Sequence, residues 1–190
     1  MTVTLRAAYP TDAGTTGEIL YRFMMDTEWM PKLYTAAETI GFCGTMIERG
    51  WVTVAEMDHQ VLGFLARDGE EICALYVARG AHKTGIGKQL LDHAKEGSDR
   101  LMLWAFQHNV GAQRFYRREG FVPIETSDGS RNEEGLPDIA FEWVRQKSGK
   151  PAATGPNEAV KEAAGKSKDA PTGKVDKDTI EKDTTKKDET

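Results

Sequence analysis

The sequence predicts an α/β (α+β) domain, a mixed sheet with helices, followed by a disordered tail. Three observations carry this: composition splits the chain in two, short β-rich runs alternate with amphipathic helical stretches, and one strand passes into a helix through a glycine-rich turn. The chain has 190 residues and a net charge of −5. Residues 1–145 hold every Trp, Phe and Tyr, with 15 Lys+Arg against 21 Asp+Glu, while residues 146–190 hold ten Lys against nine acids. In that last stretch the only apolar residues are Ala, Val160, Val175 and Ile180, too little to offset chain entropy. We therefore expect one domain over 1–145 and a disordered, low-complexity Lys/Asp/Thr tail over 146–190.

Thr4 to Ala8 reads as an opening strand ended by Pro10, and Thr11 or Asp12 is placed to cap the helix that follows. In that helix Ile19, Leu20, Phe23 and Met24 recur at helical spacing. A second helical stretch runs from about Thr35 to Arg49, after Pro31. The period then changes to two β-rich runs, Trp51 to Ala55 and Val61 to Ala66, joined at Asp58-His59-Gln60 as a hairpin. Asp68-Gly69 signals a turn into a third strand, Glu71 to Arg79. Ile86, Leu90, Leu91 and Ala94 define the apolar side of the next helix, which Gly97 is placed to end. Leu101 to Phe106 reads as a strand buried on both faces. Asn109 caps a helix through Arg118 that Gly120 closes, and strands resume at Phe121 to Ile124 and Ile139 to Val144. The order is β α α β β β α β α β β, with a right-handed crossover through the glycine turn.

Several classes are disfavoured. No run approaches the ~18 apolar residues of a membrane span and the N-terminal ten residues lack a signal-peptide pattern, so a cytoplasmic protein is expected. Cys43 and Cys73 are too few for a disulfide framework and lack partners at metal-ligand spacing; both read as small core residues, and no metal is expected. The acidic domain lacks the clustered basic surface of a nucleic-acid footprint.

The turn His82-Lys83-Thr84-Gly85-Ile86-Gly87 aims backbone N–H groups and a positive helix end at one point, which suits a phosphate. It is not a Walker loop, because Ile86 stands where Lys is required, nor a dinucleotide fingerprint, because Leu90 replaces the third glycine. Downstream, Asn109, Ala112, Phe115, Tyr116, Gly120 and Phe121 fill every fixed position of N-x-x-A-x-x-F-Y-x-x-x-G-F. With this motif, the turn and the opening Leu5 to Ala13, the chain resembles the GNAT superfamily of acetyl-CoA-dependent N-acetyltransferases over about residues 3–145. The resemblance implies a mostly antiparallel central sheet with a β-α-β-α cofactor core. One departure is that the family's Gln or Arg is His82 here, and the glycine common after it is Lys83.

By that resemblance acetyl-CoA, as co-substrate, is expected along Leu75, Tyr76 and Val77, with its pyrophosphate on His82, Lys83, Thr84, Gly85, Ile86, Gly87 and Lys88. Asn109 is placed to cap its helix and to bond the pantetheine region. A backbone N–H near Leu75 to Val77 takes the oxyanion role, and Tyr116 stands at the family's general-acid position. A phenol (pKa about 10) can protonate a departing thiolate (about 8.5). Glu71, Asp26 and Glu28 are candidates for the base, and none is selected. The acids Asp26 and Glu28, and Asp128, Glu133, Glu134 and Asp138 against Arg131, favour a cationic acceptor or are merely solvated. Trp29, Trp51, Trp104 and Tyr34 are candidate pocket residues. The acceptor is a small-molecule or protein amine, with no nucleic acid and no membrane as partner and a homodimer admitted. The competing readings are a catalytically silent CoA-binding module and a carrier for the tail.

Overall fold

A computed structural model describes residues 2–146; the tail assigned to 146–190 lies, from residue 147 on, outside the described residues. Seven strands and four longer helices follow the expected order: β1 Thr4–Ala7, α1 Ala13–Asp26, α2 Ala36–Glu48, β2 Val52–Met57, β3 Gln60–Asp68, β4 Glu71–Val77, α3 Ile86–Glu96, β5 Arg100–Phe106, α4 Val110–Arg118, β6 Val122–Ser127 and β7 Asp138–Val144. They form one sheet in the order β1-β2-β3-β4-β5-β7-β6. Every pairing is antiparallel except β4 with β5. Among the described residues no helix is long and apolar enough to cross a membrane.

Each face of the sheet carries its own core. One is built by Ile86, Leu90, Leu91 and Ala94 of α3 and Tyr116 of α4 against Leu101, Leu103 and Phe141. The other is built by Ile19 and Leu20 of α1 and Cys43, Met46 and Ile47 of α2 against Val54, Phe64 and Ala74. Helices α1 and α2 cross closely because Gly17 has no side chain; a Cβ there would lie 2.7 Å from Ile40 Cα. The hairpin between β2 and β3 turns on Asp58 and His59, both at positive φ, the geometry whose twist matches the flanking strands.

Three local expectations are corrected. Neither Thr11 nor Asp12 caps α1 through its side chain; a single 3-10 turn, Pro10–Asp12, precedes the helix. The Asp12 carboxylate instead accepts the Tyr9 N–H and two hydrogen bonds from Arg6, which also pairs with Glu56. Gly97 does end α3 as expected, at φ −94. Strand β4 stops at Val77 rather than Arg79, because Arg79–Ala81 closes into a 3-10 turn. Strand β5 is not buried on both faces: Leu101, Leu103 and Ala105 are buried, while Met102, Trp104 and Phe106 between them are half-buried. The reason is that β4 and β5 are in register only at Glu71 and Met102, beside the Met102 N–H bond to Glu70 O. Beyond that point the strands part, and β5 faces a cleft.

Candidate active site

The loop after β4 is held by short contacts. Ala81 is buried, the Thr84 hydroxyl donates to Ala81 O at 2.6 Å, and Ile86 anchors the start of α3 in the core. Gly85 adopts φ +88 and Lys83 φ +63. The left-handed region is open to glycine and costs an L-residue about 1 kcal/mol, which explains why glycine is common at the family position that Lys83 occupies. Gly85 is the N-cap of α3 and supplies no side chain, so no side chain caps the first-turn N–H groups; such a helix end suits an anion. Gly87 packs α3 onto its neighbours, where a Cβ would touch Phe115 and Val77 at 3.7 Å.

The side chains of the loop are less free than its backbone. His82 turns back to the end of β4, with Nε2 2.9 Å from Val77 O. Lys88 pairs with Asp92 and with Glu119, so its charge is already partly offset. Lys83 is exposed.

Between β4 and β5 lies a cavity of about 220 Å³. The edge of β4 at Leu75, Tyr76 and Val77 is paired with β3 on one side only, which leaves the other edge for an added strand-like ligand. Tyr116 reaches the cavity from α4, Asn109 and Ala112 flank it, and His82 closes one end. Tyr116 is 8% exposed and packs against Phe115, Phe121 and Phe141. Burial pushes its phenol well above the ordinary tyrosine range, so it stays protonated and can donate. Asn109 caps α4 by accepting the Ala112 N–H at 3.0 Å.

The opposite wall stands on the α1/α2 face of the sheet. Side chains alternate along a strand; Leu103 and Ala105 face α3 and α4, so Trp104 and Phe106 face the other way. Phe23 of α1 and Tyr76 of β4 meet there with ring centroids 5.1 Å apart. Trp29 lies at the rim, edge-on to Phe106 and stacked on His108. Arg131 lies over the Trp104 ring at 5.6 Å. Of the four aromatic residues named from sequence as pocket candidates beside the cofactor and catalytic positions, Trp104 lines the cavity; Trp51 packs into the α1/α2 core beneath Arg49, and Tyr34 is outside the wall. Phe23 was legible only as a helix-face residue. Cys43 is core, but Cys73 is half-buried in the cavity wall, and burial pushes its thiol up to about 11.

The three carboxylates weighed as bases stand elsewhere. Glu71 sits at the closed end of the splay, half-buried, its carboxyl raised by burial and by Asp68. Asp26 pairs with Arg79 at 3.0 Å, and Glu28 is exposed. The acidic loop is not uniformly solvated: Asp128 and Glu133 are exposed, but Asp138 is 3% exposed and in the cavity wall. The available signal was its position, a carboxylate directly before the apolar run Ile139 to Val144.

A seven-stranded sheet that parts between its two parallel strands, with a glycine turn at the mouth, is an acetyltransferase-type fold. The profile of the Acetyltransferase (GNAT) domain matches residues 34–123. The peptidyl-lysine N-acetyltransferase YiaC of Escherichia coli is 32% identical over 96 residues, 50% of this chain and 63% of its own length. The aligned part thus spans just under two thirds of that relative. Among solved structures, apo YjaB from Escherichia coli superimposes with a TM-score of 0.65 at 20% identity, over 76% of this chain and 99% of that one. The structure of yncA from Salmonella typhimurium with its cofactor acetyl-CoA has a TM-score of 0.59 at 17% identity, over 81% of this chain and all of its own. Over residues 34–123 the chain is thus similar to the acetyltransferase (GNAT) domain, and the fold of the described residues is that of the solved acetyltransferase structures it superimposes on.

Proposed function

We propose that this protein transfers an acetyl group from acetyl-CoA to a primary amine, with a peptide lysine as the first acceptor class to test. The observation that carries this is the cleft itself: an unpaired β4 edge and an uncapped helix end on one side, a buried protonated Tyr116 at its wall, and an aromatic chamber on the other side. The name of the YiaC relative supports the lysine reading. Acetyl-CoA supplies a thioester-activated acetyl group. The backbone N–H groups of Gly85 to Lys88 would hold its pyrophosphate and the free edge of Leu75 to Val77 its amide-bearing arm, with Asn109 beside it. A backbone N–H near Leu75 to Val77 would stabilise negative charge developing on the carbonyl oxygen.

In balance, the amine nitrogen forms a bond to the carbonyl carbon, the carbon–sulfur bond breaks, and the sulfur receives the Tyr116 proton. Tyr116 recovers a proton from the acylated nitrogen, directly or through water. Residues 1–145 form the transferase unit in this reading. Arg145 supports that boundary, since its side chain clasps Ser98 O at 3.1 Å and its N–H donates to Asp99 O at 2.7 Å. The test is thermal unfolding with and without acetyl-CoA, since a ligand that binds the native state alone raises stability by mass action. A dose-dependent rise, followed by amine-dependent release of CoA thiol that survives truncation after Arg145, is expected. No shift at millimolar cofactor would defeat the proposal.

A further inference from the structure

We infer that Asp138 binds the ammonium group of the acceptor on the α1/α2 side of the cleft and takes its proton; this rests on the amine-acetylation reading above. Asp138 opens β7 directly opposite Phe106. Cross-strand partners share a face, so its side chain lies on the same side of the sheet as Phe106 and Trp104, away from α3 and α4. It is 3% exposed and forms part of the cavity wall.

The two carboxylate oxygens differ. Oδ2 accepts a hydrogen bond from Asn132 Nδ2 at 3.0 Å, whereas Oδ1 is buried with no hydrogen-bond partner. A buried polar atom without a partner is costly, and native proteins satisfy nearly all of them. An ammonium, with three donors and a positive charge, is the complementary group. The carboxylate is also held in place. Asn132 Nδ2 donates to Leu136 O at 2.7 Å and its Oδ1 accepts the Leu136 N–H at 3.0 Å. Gly129, at φ +89, lies so close to Leu136 that a Cβ would come within 2.5 Å. The loop before β7 is therefore folded onto itself with Asn132 as the clip. Around it Phe23, Tyr76, Trp104 and Phe106 offer apolar surface for the aliphatic stem of an amine.

The chemistry is a proton transfer. An N–H bond of the ammonium breaks, its electron pair stays on nitrogen as the attacking lone pair, and the proton bonds to Oδ1. The proton leaves to solvent after the product departs. An alkyl ammonium has a pKa of about 10, so without such a group only a small neutral fraction can attack near pH 7. The titratable and charged groups around Asp138 are Arg131 and Glu134 of its own loop, Cys73 and Tyr76 of β4, Tyr116 of α4 and His82 of the loop after β4, with Asp26, Arg79 and His108 farther out.

The experiment compares the full chain with Asp138→Asn, Asp138→Ala and Asn132→Ala. CoA-thiol release is followed at saturating acetyl-CoA with Nα-acetyl-lysine N-methylamide, an alanine-initiated tetrapeptide and spermidine, from about pH 7 to 9.5. For whichever amine the parent protein acetylates, Asp138→Asn should lower kcat/KM about 100-fold near pH 7, and the defect should shrink as pH rises and the amine deprotonates by itself. The acetyl-CoA thermal shift should be unchanged. Asn132→Ala should lose activity through KM while keeping the parent pH profile, as a merely structural loss would. Activity of Asp138→Asn within threefold of the parent, or a deficit that does not recover with pH, overturns the inference. Should Asp138→Asn not fold, Asp138→Ala decides by the same pH test: a deficit that shrinks as pH rises supports the role, and a rate within threefold of the parent or a deficit of equal size at every pH overturns it. If the parent acetylates none of the three amines, the transfer reading falls first, and the role of Asp138 falls with it.

Discussion

The wall of the cleft on which the cofactor is expected comes from two stretches of chain, residues 75–82, with the glycine turn directly following, and 109–116, whereas the opposite wall collects Phe23 from α1, Tyr76 from β4, Trp104 and Phe106 from β5 and Asp138 from β7. The first wall works mostly through backbone: a strand edge, a helix end, and glycines that let a ligand approach. The second works through side chains brought together by sheet register. A backbone-built wall accepts side-chain change, so on the proposed function His82 and Lys83 can stand where the family that the chain resembles has other residues. On the proposed function, acceptor choice would reside in the side-chain-built wall, where a single substitution would change it.

Substitutions test that contrast in order of expected size. Tyr116→Phe removes the hydroxyl but keeps the ring that packs on Phe121 and Phe141. It should lower kcat about 100- to 1000-fold with little change in acetyl-CoA affinity; a kcat within threefold would make Tyr116 a packing residue. Gly85→Glu puts an acidic side chain at φ +88 beside the expected pyrophosphate. It should abolish the acetyl-CoA thermal shift, a loss of about 100-fold or more in affinity. His82→Ala should weaken acetyl-CoA binding far less than Gly85→Glu, and an equal loss by calorimetry would erase the distinction between the walls.

Two smaller effects lie outside the cleft and serve as controls. Gly17→Ala forces α1 and α2 apart, since its Cβ would meet Ile40 backbone at 2.7 Å; overpacking of this kind costs about 1–3 kcal/mol and should appear in denaturant unfolding without altering acetyl-CoA binding. The Asp12 carboxyl is held below the ordinary aspartate range, chiefly by its hydrogen bonds from Arg6. Because its folded pKa is depressed, the stabilisation is complete above the unfolded value near 4 and is lost as pH falls through the folded value. Asp12→Asn should therefore cost about 1 kcal/mol at neutral pH and flatten the acid limb of the stability curve.

Much of this was legible in the sequence because it is local. The element order follows from hydrophobic period, the end of α4 from Gly120 at φ +87, and its start from Asn109. The glycine turn and the Asn109 to Phe121 motif are contiguous, so the wall they form could be read without knowing which strands meet. The local errors were those in which a distant group competed. Asp12 left its capping role for Arg6 and the Tyr9 N–H, and β5 lost one buried face because β4 diverges from it.

The sequence by itself determined the order of helices and strands and the backbone-built wall, since each depends on neighbours a few residues apart. Only the tertiary structure decided that β4 and β5 part after Glu71 and Met102, that Trp104 rather than Trp51 or Tyr34 lines the cleft, and that Asp138 is buried while Asp128 is not. Those outcomes depend on register between strands far apart in the chain. A shift of one residue in that register would turn every one of these side chains to the other face, and nothing local to Asp138 or Trp104 encodes it.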